Sequence, residues 1–213
     1  MILAGEREAI PARAVILSGE PWATAALLRP HDSVAAEQLD AIPCPAVTVV
    51  ALGFGAADAA RVPPGFGVLI ARTQGFRMLG NLWETSLYPG RGPEGHLLIR
   101  AMLGGAVDHD AGALDELQAL ALVREEVARL YGITGRPVFE QAVPIPRAIP
   151  QYEVGHRHRV ASVERALARL PGLHATGFGL RGVSFADAAT DGVDTGLRAA
   201  EEIFGARSTL RES

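Results

Sequence analysis

Residues 175–187 read A-T-G-F-G-L-R-G-V-S-F-A-D, a short strand-like run leading into Gly177, Gly179 and Gly182 and then into a helix with Asp187 in its first turns. Glycines let the backbone approach a flat ligand or an anion closely. A helix start points N–H groups and the positive end of its dipole outward. A tight β–α turn holding no ligand accounts for the same pattern equally well. A second glycine pattern, V-V-A-L-G-F-G-A-A-D over residues 49–58, approaches the dinucleotide fingerprint, but Asp58 stands where the third glycine is required. Pro63-Pro64 then blocks the helix whose start would hold a pyrophosphate, so this run reads as a core strand ending in a glycine turn.

The remaining reactive residue types are sparse. His156 and His158 lie two apart, diverging on a helix and sharing a face on a strand; with Glu153 as the one near carboxylate they do not make a zinc or iron set. His109, between Asp108 and Asp110, reads as a solvated turn. No serine sits in a G-x-S-x-G elbow. Every basic residue is arginine, which excludes a lysine Schiff base and a Walker-type phosphate loop. The single Cys44 cannot form an intrachain bridge and fits a reducing compartment. No side chain is assigned as catalytic and no metal is expected.

The elements that must position these residues alternate between β and α. Strands are expected at 13–18, 46–54, 66–71, 77–83, 96–103, 138–143 and 173–177. Helices are expected at 21–28, 33–39, 114–130, a stretch through Val160, Val163, Leu167 and Leu170, and a last one ending near Phe204. In the 114–130 helix Leu117, Leu120, Val127 and Leu130 share the apolar face, and Gly132 closes it. The expected class is α+β: one mixed-sheet body over residues 1–171, with 172–213 as a β-turn-α tail. The 213 residues carry a formal charge of −4 with pI near 5.9, which gives no electrostatic footprint for nucleic acid. Charged residues near Met1 and apolar runs shorter than a membrane span of about 30 Å predict neither an export signal nor a spanning helix. A mean hydropathy of +0.17 is high for such a chain and predicts apolar surface that meets a partner.

Longer motifs carry a resemblance. P-R-A-I-P-Q-Y-E-V-G-H over residues 146–156, L-P-G-L-H over 170–174 and the Gly177–Asp187 run resemble the carboxyl-terminal region of FAD-dependent protoporphyrinogen oxidase, one of the amine-oxidase-like flavoproteins. Residues 14–18, 47–54, 65–69, 79–80 and 102–105 fall in that family's order. The resemblance implies an FAD domain assembled from separated segments plus a substrate domain: residues 1–171 are mainly the substrate-domain half, with the N-terminal strand and helix near the FAD domain, and 172–213 supply the strand and helix that complete the FAD domain. It implies that this chain matches the later half alone, with the dinucleotide-binding half and a propionate-pairing arginine residing elsewhere. It places Gly177, Phe178, Gly182, Val183, Ser184 and Phe185 against the flavin, and Phe66, Gly67, Leu69, Leu82 and Met102 along a tetrapyrrole cavity. The implied reaction removes six electrons from protoporphyrinogen IX in three flavin turnovers with dioxygen as oxidant, a step of haem biosynthesis. FAD is expected to bind only with the missing half; expected partners are that half, or a second copy through an apolar face, in a cytoplasmic protein with at most peripheral membrane contact. Phe178 after Gly177, Ile145 in place of the family's Trp, and Asp187-Ala188-Ala189 in place of D-C-I depart from the pattern. They motivate two alternatives: a non-catalytic module that binds a tetrapyrrole or a partner, and another amine-oxidase-like flavoprotein such as a carotenoid desaturase relative.

Overall fold

The computed structural model describes residues 9–205. In chain order they form β1 (Val15–Leu17), α1 (Pro21–Leu28), α2 (Ser33–Asp40), β2 (Val47–Phe54), α3 (Ala56–Ala59), β3 (Gly67–Leu69), β4 (Met78–Trp83), α4 (Glu84–Leu87), β5 (Leu97–Gly104), α5 (His109–Gly112), α6 (Glu116–Tyr131), β6 (Phe139–Ile145), α7 (His156–Leu167), β7 (Leu173–Ala175) and α8 (Phe185–Phe204). The class is α+β, as expected. The single expected sheet is two sheets, because β1 pairs with β7 and not with the strands that follow it. The chain accordingly divides into two compact units, Cys44–Ile149 and the residues up to Pro43 together with those from Pro150 onward. The 171/172 boundary drawn from sequence falls inside the latter unit.

In the Cys44–Ile149 unit five strands lie in the order β3-β4-β5-β2-β6, antiparallel throughout. The V-V-A-L-G-F-G run is therefore part of a central antiparallel strand, and Gly55 caps the single turn of α3. Alternate residues Val50, Leu52, Phe54, Ile99, Ala101 and Leu103 form the core face with Trp83, and α6 lays Ala119, Val123 and Val127 onto it. Trimming the fully buried Leu52 to Ala would cost about 3 kcal/mol. A capping box starts α6: Asp115 Oδ1 accepts from Gln118 N at 2.8 Å and Gln118 Oε1 accepts from Asp115 N at 3.1 Å. Gly132 ends it with φ of 68°.

The buried stripe of α6 differs from the one expected. Leu117 is 77% exposed, whereas Glu126 is buried. Its carboxylate accepts from Arg77 N at 2.7 Å and Met78 N at 2.9 Å, tying the helix to the start of β4. Two backbone donors at the start of β4 thus find a charged acceptor, which rotates the helix toward 119, 123, 126 and 127. His109 is exposed, as a solvated residue should be, but lies in the short helix α5 capped by Asp108.

In the other unit β1 and β7 run parallel, Val15 opposite Leu173 through Leu17 opposite Ala175. α1 packs on α2, α2 on α7, and α8 on both strands, around Leu28, Leu39, Val160 and Val163. Among the described residues no helix is long and apolar enough to cross a membrane.

Candidate functional site

Residues 176–184 join β7 to α8 in a tight turn, the bend expected between residues 177 and 185. Gly177 has φ of 123° and Gly182 φ of 150°, a region that side chains disfavour. At Gly182 a Cβ would also lie 2.2 Å from the Cβ of Asp187. Leu180 N donates to Gly177 O at 3.1 Å within the turn. Ser184 closes it as the N-cap of α8, its Oγ accepting from Asp187 N at 3.0 Å and its hydroxyl donating to Asp187 Oδ2 at 2.7 Å.

Two sets of side chains hold this turn, and neither was assigned a role from sequence. Asp191 on α8 is buried and accepts from the Thr176 hydroxyl at 2.6 Å, from Gly177 N at 3.3 Å and from the Arg181 guanidinium. Arg181 also reaches Glu164 at 2.9 Å and Ala175 O at 2.8 Å. Burial works against the Asp191 charge, but the bonds from Arg181 and Thr176 outweigh it and hold its carboxyl below the usual aspartate range. The second set comes from the I-P-Q-Y-x-x-G-H motif. His156 Nε2 lies 3.0 Å from Leu180 O, so that nitrogen carries the proton and donates. The Tyr152 hydroxyl donates to Phe178 O and accepts from Gly182 N at 2.8 Å. The two rings stack with centroids 3.7 Å apart and 11° between planes. Burial raises the Tyr152 phenol above its ordinary value despite the Gly182 N–H beside it. His158 is exposed and points away from this pair, as two histidines on a helix diverge.

Around the turn, Phe178, Val183 and Phe185 leave apolar surface open, Phe185 at 85% exposure. Val193, Leu197 and Phe204 extend that surface along α8.

In the Cys44–Ile149 unit, strand register settles where the cavity candidates lie. Gly67 is opposite Leu82, Leu82 opposite Arg100, Leu69 opposite Gly80, and Gly80 opposite Met102. Gly67, Leu69, Leu82 and Met102 therefore share the sheet face opposite the core, joined there by Val49 and Ala51 of β2. Gly67 and Gly80 are closely overlaid: a Cβ on either would lie 2.4 Å from a neighbouring carbonyl oxygen. Leu69 is 93% exposed. Phe66 stands just before β3, its carbonyl accepting from Trp83 N at 2.9 Å. Sequence reasoning passed over Arg100, a cation on this face that bonds the buried Glu84 at 2.5 Å. The alternation of apolar and charged residues in L-L-I-R-A-M was the available signal.

The sequence pattern of the family described as flavin containing amine oxidoreductase matches residues 2–204, and the chain belongs to that family of flavin-containing oxidoreductases. It is 31% identical over 147 residues to the coproporphyrinogen III oxidase of Bacillus subtilis (strain 168), covering 68% of this chain and 31% of the relative. It is 32% identical over 166 residues to the chloroplastic protoporphyrinogen oxidase 1 of Spinacia oleracea, covering 73% of this chain and 29% of the relative. In fold it is similar to the crystal structure of a protein assigned as a protoporphyrinogen oxidase from Exiguobacterium sp. 255-15, with a TM-score of 0.74 at 19% identity over 89% of this chain and 41% of that one. The chain spans less than a third of the length of either curated relative.

Proposed function

We propose that this chain supplies the carboxyl-terminal part of a flavin-dependent porphyrinogen oxidase, acting on protoporphyrinogen IX together with the dinucleotide-binding half, whether that half is joined to it or separate. The observation that carries this reading is the family match across residues 2–204, with relatives named for porphyrinogen oxidation. The turn suits a flavin. The lack of a Cβ at Gly182 lets the turn close on Asp187, Phe178, Val183 and Phe185 offer apolar contact, and a helix start leaves N–H groups without intrahelical partners. Gly177, Phe178, Gly182, Val183, Ser184 and Phe185 are the residues assigned to hold it. Fixed N–H dipoles there stabilise charge at the N1/C2 carbonyl edge without any titrating base. When bound, FAD supplies two-electron oxidation and is reoxidised by dioxygen; three turnovers remove six electrons and six protons from the porphyrinogen and yield three hydrogen peroxide. Gly67, Leu69, Leu82 and Met102, with Phe66 beside them, give a low apolar floor suited to a large flat macrocycle recognised by shape.

Surface that the described residues leave uncovered supports the dinucleotide-binding half as partner. Parallel sheets are ordinarily buried on both faces and have more than two strands, whereas among the described residues β1 and β7 stand as a pair. α8 exposes Phe185, Val193, Leu197 and Phe204 beside them. Co-expression with an amino-terminal half bearing G-x-G-x-x-G is expected to give a yellow complex that oxidises protoporphyrinogen IX. A colourless mixture without that activity would overturn the reading. The half-exposed Phe178 ring favours one alternative, a module that binds a tetrapyrrole without redox chemistry. Tight binding in a porphyrin fluorescence titration of the chain alone, with no flavin-dependent activity in the complex, would select it.

A further inference from the structure

Tyr152 and His156 grip three alternate residues of the turn. Tyr152 holds Phe178 O and Gly182 N, His156 holds Leu180 O, and the stacked rings brace each other. His156 is the first residue of α7, and Gly155 before it has φ of 95°, so the chain reverses sharply to bring the imidazole beside the phenol. Asp191 fixes the opposite end of the turn at Thr176 and Gly177. The protein side of the turn is thus held from residue 176 to residue 182, and the residues assigned to the flavin edge begin where that grip ends. The phenol stays protonated well past neutral pH, because burial raises it, so it keeps both its donor and its acceptor role.

We propose that Tyr152 and His156 are positioning residues for the flavin, setting the backbone of residues 178–182 so that the N–H groups of residues 183–185 meet its carbonyl edge. The inference rests on the assignment of this turn to FAD and sharpens it in one respect. Gly182 N–H is spent on Tyr152 and its missing Cβ makes room for Asp187, so Gly182 shapes the turn and offers the flavin no hydrogen bond.

Three variants test this, Tyr152→Phe, His156→Leu and His156→Gln, the last retaining an N–H donor near the Nε2 position. In the chain itself, hydrogen exchange at the Gly182 amide should quicken about tenfold in Tyr152→Phe, as loss of one ordinary hydrogen bond requires, while amides within α8 keep their protection. In the complex with the dinucleotide-binding half, FAD titration should show affinity falling about tenfold in Tyr152→Phe and His156→Leu, with a shifted flavin absorption band. His156→Gln should restore both to the parental values. Should Tyr152→Phe lose its circular dichroism signal, the two His156 variants carry the test. Faster Gly182 exchange with unchanged FAD affinity and spectrum would overturn this inference and leave the proposed function standing. His156→Gln behaving as His156→Leu would also overturn it. A parental complex that holds no FAD would overturn both.

Discussion

Asp191 gathers the Thr176 hydroxyl, the Gly177 N–H and the Arg181 guanidinium onto one buried carboxylate, so the charge of that group and the shape of the turn are tied together. Removing one partner of such a set leaves the other unpaired. Asp191→Asn is expected to lower stability by about 3 kcal/mol, moderated by the Glu164 that Arg181 keeps. The sign of the pH dependence follows from the lowered carboxyl. A carboxylate held below its unfolded value of about 3.9 contributes its full stabilisation above that pH and loses it as pH falls through the lower folded value. Urea unfolding from pH 6 down to pH 3 should therefore show the parental chain losing stability more steeply below about pH 4 than Asp191→Asn does. Asp32 and Asp108 are also held low, by the Ala35 N–H and Arg169 and by Arg77 respectively, but both proteins retain them. Parallel curves for the two proteins would mean that the Asp191 carboxyl titrates alike in the folded and unfolded states and is not held low by the fold.

α8 shows how a helix can be well formed and still incomplete. Asp191, Thr195 and Ala199 face inward, four apart, while Phe185, Ala189, Val193 and Leu197 repeat at the same interval on the outer side. Gly192 and Gly196 border that outer stripe with open space beside them. Replacing both with Ala should stabilise α8 by about 1 kcal/mol each and raise the melting temperature by about 6 °C. The same methyl groups project toward the surface assigned to the dinucleotide-binding half, so co-purification with it should fall. A lowered melting temperature would show that the glycines are already packed in the isolated chain. β2, β5 and the glycine end of α6 were legible in sequence, because each is written in local spacing. The pairing of β1 with β7 and the unit boundaries at Pro43/Cys44 and Ile149/Pro150 were not legible in local spacing. β1 and β7 are three residues each, and their pairing joins Val15 to Leu173 with no periodicity long enough to announce it. The face of α6 was misplaced because Glu126 looks like a solvent residue until Arg77 and Met78 N–H groups meet it. The Y-x-x-G-H motif was visible as a pattern, yet its role was hidden, since its partners lie 24 to 30 residues further along.

At the level of the whole molecule, apolar surface is left open in both units: on α8 in one, and on the outer sheet face around Leu69, Phe139 and Val143 in the other. Uncovered apolar patches of this kind mark surfaces that meet other molecules. If the α8 face belongs to a dinucleotide-binding half, the chain alone should bind FAD poorly, because the pyrophosphate and adenosine contacts reside in that half. The same face should then drive copies of the chain together when the half is absent. Sedimentation equilibrium is expected to show association of the parental chain, and Leu197→Glu, a charge placed in the middle of the stripe, should be monomeric with unchanged far-ultraviolet circular dichroism. Leu197→Glu should also fail to recover FAD on co-expression. The two readouts separate the possible uses of the surface. A variant that becomes monomeric yet still forms the yellow complex would assign the face to self-association alone. Stoichiometric FAD on the purified parental chain would show that this polypeptide grips the nucleotide unaided, and the need for a second half would be lost with it.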